Sequence, residues 1–226
     1  MESSDGASKW SILGLLLFSW GLGAITTRYL LKEFSAEFAS RIVSGVHAIL
    51  TIAFGCGILW EDMISRKVPI GTPYSTWTQQ LILLNSMAYF TVDLLGIVFS
   101  SYFSLLFIAH HVLCIACLLF CCIYESYCYD VAVVLLLCEL TNPFLHGRWL
   151  LAEFEKEDTR WFMWISELFY LLFFVTRIVI GPLLTWRVLS SDASSVIKFC
   201  SITLQAASVQ FFVDKVVKRV CCVKWR

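Results

Sequence analysis

Charge is scarce in this chain. Only 15% of its 226 residues are Asp, Glu, Lys or Arg, and 17 basic residues balance 17 acidic ones to a net charge of zero. That balance excludes both an acidic tail and the basic footprint of a nucleic-acid-binding protein. Repeats of about 20–50 residues are absent, as are low-complexity stretches, and there is no room for a second soluble domain. The stretch Met1–Gly6 is acidic and polar and lacks the basic n-region of a cleavable signal peptide, so the first apolar run is expected to be kept as a span. What the chain does have is apolar surface: 59% hydrophobic residues and a mean hydropathy of +0.77. A soluble domain is nearer 45–50% apolar and about 25% charged. The expectation is an all-α, polytopic transmembrane helix bundle of six to seven spans around an internal polar cavity.

Seven runs are long and apolar enough to cross a bilayer. They cover about Trp10–Tyr29, Ile42–Trp60, Leu81–Phe99, Tyr102–Ile123, a run from Val131 interrupted around Glu139–Pro143, Trp161–Leu184, and Val196–Val213. The last is diluted by Lys198, Gln205 and Gln210. Trp10, Trp60, Trp77, Trp161 and Trp186 fall at or near run ends, as an interfacial belt requires. Loop charges orient the bundle. With seven spans and a cytosolic C-terminus, ten basic residues face the cytosol (Arg28, Lys32, Arg41, Lys156, Arg160, Lys215, Lys218, Arg219, Lys224, Arg226) against four on the other side (Lys9, Arg66, Lys67, Arg187). A six-span arrangement with the same C-terminus places the N-terminus in the cytosol instead.

Polar residues inside the spans are concentrated. His110 and His111 stand in the middle of the fourth run. Ionisable groups at bilayer depth are costly and mark functional positions. A short turn near Ser100–Ser101 makes the third and fourth spans antiparallel neighbours. Counted outward from it, Asp93 and His110 lie at the same depth, roughly 12–14 Å at 1.5 Å per residue. Adjacent helical residues point about 100° apart, so one histidine can face Asp93 while the other faces the cavity. A carboxylate there orients the ring and raises its basicity. Glu139, Asn142 and His146 follow i, i+3, i+7 spacing on one face. Pro143 frees the Glu139 carbonyl and kinks the helix. Glu167, Tyr170 and Arg177 share a stripe about 80° wide expected to face the interior.

Simpler roles stand beside these. His47, alone in its span, fits interhelical packing or hydrogen bonding better than catalysis. The histidine pair could be structural, and Glu139 could form an internal ion pair with Arg148 or Arg177. No His-x-x-x-His spacing offers two metal ligands from one face, so no metal is expected. Cys114, Cys117 and Cys121 form a small-residue packing stripe; Cys114-x-x-Cys117 also has a redox spacing, unsuited to an apolar span. Cys221 and Cys222, in the basic tail, suit palmitoylation or remain free thiols.

The order of three stretches resembles the TLC domain family, which includes ceramide synthases, translocon-associated proteins and lipid-homeostasis proteins. They are Asn85–Asp93, His110-His111-Val112 and Glu139–Trp149. The resemblance covers about residues 35–215, after an N-terminal segment and first span (1–34) and before a basic cytosolic tail (216–226). It implies a bundle of mostly six core helices around a cavity, in the endoplasmic reticulum or a related endomembrane. Ceramide synthases join a sphingoid base to an acyl group from acyl-CoA and need a histidine pair. The resemblance therefore implies His110, His111 and Asp93 as catalytic residues, with acyl-CoA as co-substrate and no other cofactor. Asn85, Glu139, Asn142, His146, Arg148, Glu167 and Arg177 become ligand-binding candidates. Ceramide synthases also carry a downstream His-Asp; here Glu139–Phe144 stands in its place, which brings the chain closer to the smaller TLC-domain proteins. The leading expectation is lipid binding in membrane lipid homeostasis. The alternatives are an N-acyltransferase, and a cargo or assembly factor for membrane-protein clients.

Overall fold

A computed structural model describes residues 3–60, 62, 66–99 and 105–214. The Ser100–Ser101 turn, the basic residues from Lys215 onward, and Cys221 and Cys222 lie outside the described residues. Those described form an all-helical bundle without strands. The helices are α1 (Ser3–Leu30), α2 (Ala36–Trp60), α3 (Trp77–Val98), α4 (Leu105–Tyr124), α5 (Cys128–Glu139), α6 (Asn142–Glu153), α7 (Arg160–Phe173), α8 (Gly181–Leu189) and α9 (Ser195–Phe212). A π-helical turn, Phe174–Ile180, joins α7 to α8. Among the described residues, seven helical stretches are long and apolar enough to cross a membrane, with α5–α6 and α7–α8 each counted as one.

Local chemistry sets the boundaries. Thr76 caps α3 in a reciprocal capping box with Gln79, and Thr159 and Ser194 cap α7 and α9. The fifth span breaks at Leu140–Thr141, and α6 restarts with Pro143 in its first turn, where a missing N–H costs nothing. In the sixth span the Gly181 N–H reaches back to the Thr176 carbonyl, a π-type bond. The next such bond would need an N–H from Pro182, which has none. The Gln205 side-chain amide of α9 donates to the stranded Arg177 carbonyl instead, at 3.0 Å. A side chain at Gly181 would meet that Gln205 oxygen at 2.5 Å, so glycine lets α9 approach.

Consecutive spans run antiparallel. One end of the bundle, the near end, holds the start of α2, the ends of α3, α6 and α9, and the starts of α4 and α7. The far end holds their opposite termini. Helix α2 packs on α3, α5 and α6; α3 packs on α4, α4 on α9, α9 on α8, and α7 on α6. These close a ring of six spans, while α1 lies outside against α2 and α3. The expectation of six or seven spans is met by both numbers: six around the centre and one beside them. At the far end Lys9 ties α1 to α4, donating to the Cys122 carbonyl at 2.8 Å and pairing with Glu125 at 2.6 Å. Gly71, at φ 89°, brings the α2–α3 connection against Ser191, where a side chain would collide at 2.5 Å. The tryptophans expected at the interfaces are all exposed: Trp10, Trp60, Trp77, Trp161 and Trp186.

Candidate functional site

The ring of spans encloses a cavity of about 930 Å³, at the upper end of the usual range for small-molecule sites, about 300–1,000 Å³. Its wall changes character along its length. The near half carries Ser40, Arg41, Asp93, His110, His111, His146 and Arg148 among apolar side chains such as Ile97, Phe107, Leu145 and Phe211. The far half carries Leu118, Val131, Val134, Leu135, Val188 and Ile197. Arg177, Glu139 and Asn142 lie between. Asp130 is the polar exception in the far half, and its Oδ2 accepts from the Gly71 N–H at 2.9 Å.

Asp93 does meet a histidine, and it is His111. The His111 ring sits 2.9 Å from Asp93 Oδ2 through Nε2, and its Nδ1–H donates to the Phe107 carbonyl at 2.8 Å. The Ser40 hydroxyl donates to the other Asp93 oxygen at 2.9 Å. A carbonyl can only accept, so Nδ1 carries a proton. One further proton then lies between Nε2 and Oδ2, as imidazolium with carboxylate or as imidazole with carboxylic acid. Either way both nitrogens of His111 are engaged. The His110 ring is perpendicular to it, at 86° with centroids 5.7 Å apart, and lines the cavity. Its nearest recorded partner is the Cys114 sulfur, 3.7 Å from Nε2. Of the two, His110 is the ring open to a ligand.

A second histidine–carboxylate pair joins α2 to α5. His47 Nδ1 lies 3.6 Å from Glu139 Oε2, and its Nε2 lies 3.1 Å from Ser86 Oγ and 3.2 Å from Thr51 Oγ1. The ring is fully buried and stacks on Tyr89 at 3.9 Å, with Trp20 of α1 edge-on. His47 stays out of the cavity wall. Asn142 donates to Glu139 Oε2 at 2.9 Å, so the i, i+3 relation survives the helix break. Counting depth finds this pair, because His47 and Glu139 each lie 11 residues into their helices from opposite ends.

The remaining candidates divide. His146 lines the cavity, and its Nδ1 has no hydrogen-bond partner. Arg148 lines it too, donating from Nε to Ser166 at 3.0 Å and lying over the rings of Phe162 and Tyr170. Arg177 lines it and donates to the Cys138 carbonyl at 3.2 Å and to Ser208 at 3.4 Å. Neither arginine is ion-paired to Glu139, so that structural alternative is not realised. Two candidates face elsewhere. Asn85 accepts from the Trp20 indole N–H at 3.1 Å, on the side of α3 turned to α1, about 80° around the helix from Asp93. Glu167 is exposed on the outside of the bundle. The inward face of α7 is set by Phe162, Phe169 and Phe173, and at 100° per residue Glu167 lies about 140° from Phe162. The stripe of Glu167, Tyr170 and Arg177 straddles that boundary, and only the last two turn inward. Arg41, which the loop count treated as a surface charge, is also part of the wall: it pairs with Glu37 at 2.7 Å and lies over Trp149.

A family model described as TLC domain matches residues 37–214. The match opens in α2 and closes just after α9, so it takes in the six spans around the cavity and leaves α1 outside. The chain belongs to the TLC domain family and is an integral, multi-pass membrane protein.

Proposed function

We propose that this protein binds an amphipathic lipid inside its bundle and acts in membrane lipid homeostasis, in the endoplasmic reticulum or a related endomembrane. The observation that carries the reading is the uneven wall of the 930 Å³ cavity: ionisable and hydrogen-bonding side chains are concentrated in the near half, and the far half is mostly aliphatic, with Asp130 as its exception. A polar head in the first and a hydrocarbon tail in the second satisfies both. The alternative of an empty, water-filled channel leaves Leu118, Val134, Leu135 and Ile197 wetted at roughly 25 cal/mol per Å². Mass spectrometry of lipids extracted from the purified full chain tests the reading. A single lipid class near one molecule per chain supports it; only the detergent and the bulk lipid mixture counts against it.

A second reading, acyl transfer from acyl-CoA, draws on one feature. The His110 ring is turned to the cavity and its nitrogens lack a strong hydrogen bond, as a general base or nucleophile needs. Substituting His110 by alanine separates the two. Loss of an acylated product from a folded protein supports the enzyme; an unchanged bound lipid and no product from either protein supports binding alone.

A further inference from the structure

Arg177 is an incompletely compensated charge in the middle of the bundle. It lies 17 residues from the near end of its span at Arg160 and 12 from the far end at Leu189, close to the middle of a bilayer about 30 Å thick. A cation at that depth needs a counter-charge or dense hydrogen bonding. Among the described residues, no carboxylate lies within ion-pair distance of Arg177. Its donor contacts are neutral, to the Cys138 carbonyl and a long bond to Ser208, and its Nε has no acceptor among the described residues. Glu139, next to Cys138 in sequence, is hydrogen-bonded by Asn142 and paired with His47, and it acts on Arg177 only beyond ion-pair distance. The π turn with its Gln205 bracket fixes where Arg177 leaves the helix, and such turns recur at functional sites. That place is the seam between the polar and aliphatic halves of the cavity.

We infer that Arg177 anchors the carboxylate of a single-chain fatty acid whose tail fills the far half. This rests on the lipid-binding reading above and names the ligand class. Guanidinium and carboxylate match as planar two-point partners. A phosphate head carries more charge than one cation answers, and the other arginines of the wall are engaged: Arg41 with Glu37, Arg148 with Ser166 and two rings. Length agrees. From Arg177 to Val188, the deepest wall residue of that span, is 11 residues, about 16 Å. An extended chain rising about 1.3 Å per carbon, on bonds of about 1.5 Å, fits about 12 methylenes there. A neutral ester presents no anion and leaves Arg177 as it is.

The test is equilibrium binding of radiolabelled tetradecanoate to the detergent-purified, delipidated full chain. Unlabelled tetradecanoate, its methyl ester and a lysophosphatidate of equal chain length serve as competitors. The expected result is one saturable site, with the ester weaker than the acid by roughly tenfold or more, the scale of a charged hydrogen bond. Arg177→Gln should abolish the preference for acid over ester, Arg177→Lys should keep part of it, and Glu167→Gln should change nothing. If Arg177→Gln does not fold, the acid–ester comparison on the unaltered protein and on Arg177→Lys decides. Equal binding of acid and ester overturns the anchor while leaving lipid binding intact. Tighter binding of the lysophosphatidate overturns the carboxylate assignment. Binding of none of the three overturns the parent reading.

Discussion

The bundle contains two histidine–carboxylate pairs built from the same chemistry and set to different work. Asp93–His111 lies in the cavity wall, hydrogen-bonded at 2.9 Å, with a ligand space on one side. Glu139–His47 is looser at 3.6 Å between its charged atoms, yet its ring is wholly enclosed by Tyr89, Trp20, Ser86 and Thr51. The first pair faces the cavity. The second is a junction where α1, α2, α3 and α5 meet. Burial, not the strength of the contact, separates the roles.

The comparison breaks most easily at His47. His47→Ala removes a buried ring and strands Glu139, and should cost about 3–5 kcal/mol of stability. Thermal unfolding of the detergent-purified protein reads this; a loss no larger than at the cavity pair would erase the distinction. Asp93→Ala should cost less, about 1–3 kcal/mol, because His111 Nε2 is then left facing a space that water or a ligand can fill.

Asp93→Asn sharpens the point further. The amide N–H can donate to Nε2 while Ser40 donates to the amide oxygen, so stability should fall by no more than about 1 kcal/mol. Nitrogen NMR of the variant should show a neutral His111 ring protonated at Nδ1. A doubly protonated ring would contradict the hydrogen-bond assignment. The smallest effect is expected at His110→Ala, within about 0.5 kcal/mol of the parent, the usual range for a side chain that holds nothing together. A large loss there would show that His110 is structural.

Much of this was legible in the residues. The spans, the break before Pro143 and the meeting of Asp93 with one of two histidines follow from apolar run length, backbone chemistry and depth counting. Depth counting could not choose between His110 and His111, because one residue of helix moves a side chain by 1.5 Å but turns it by 100°. Glu167 was misplaced for a related reason: a stripe 80° wide has an edge, and only the packing of Phe162, Phe169 and Phe173 shows where it falls. Asn85 needed α1, whose Trp20 reaches over the ring of six to claim it. The His47–Glu139 junction joins helices far apart in sequence, so no local spacing announces it, and only depth counted along both helices brings the two together.

We propose that a lipid tail fills the aliphatic half of the cavity. Val134→Trp, which plugs that half, tests it most directly when lipid is quantified by mass spectrometry on equal amounts of folded parent and variant. Near-stoichiometric lipid is expected in the parent, and its loss from the variant. Equal lipid in both, or none in the parent, would contradict it.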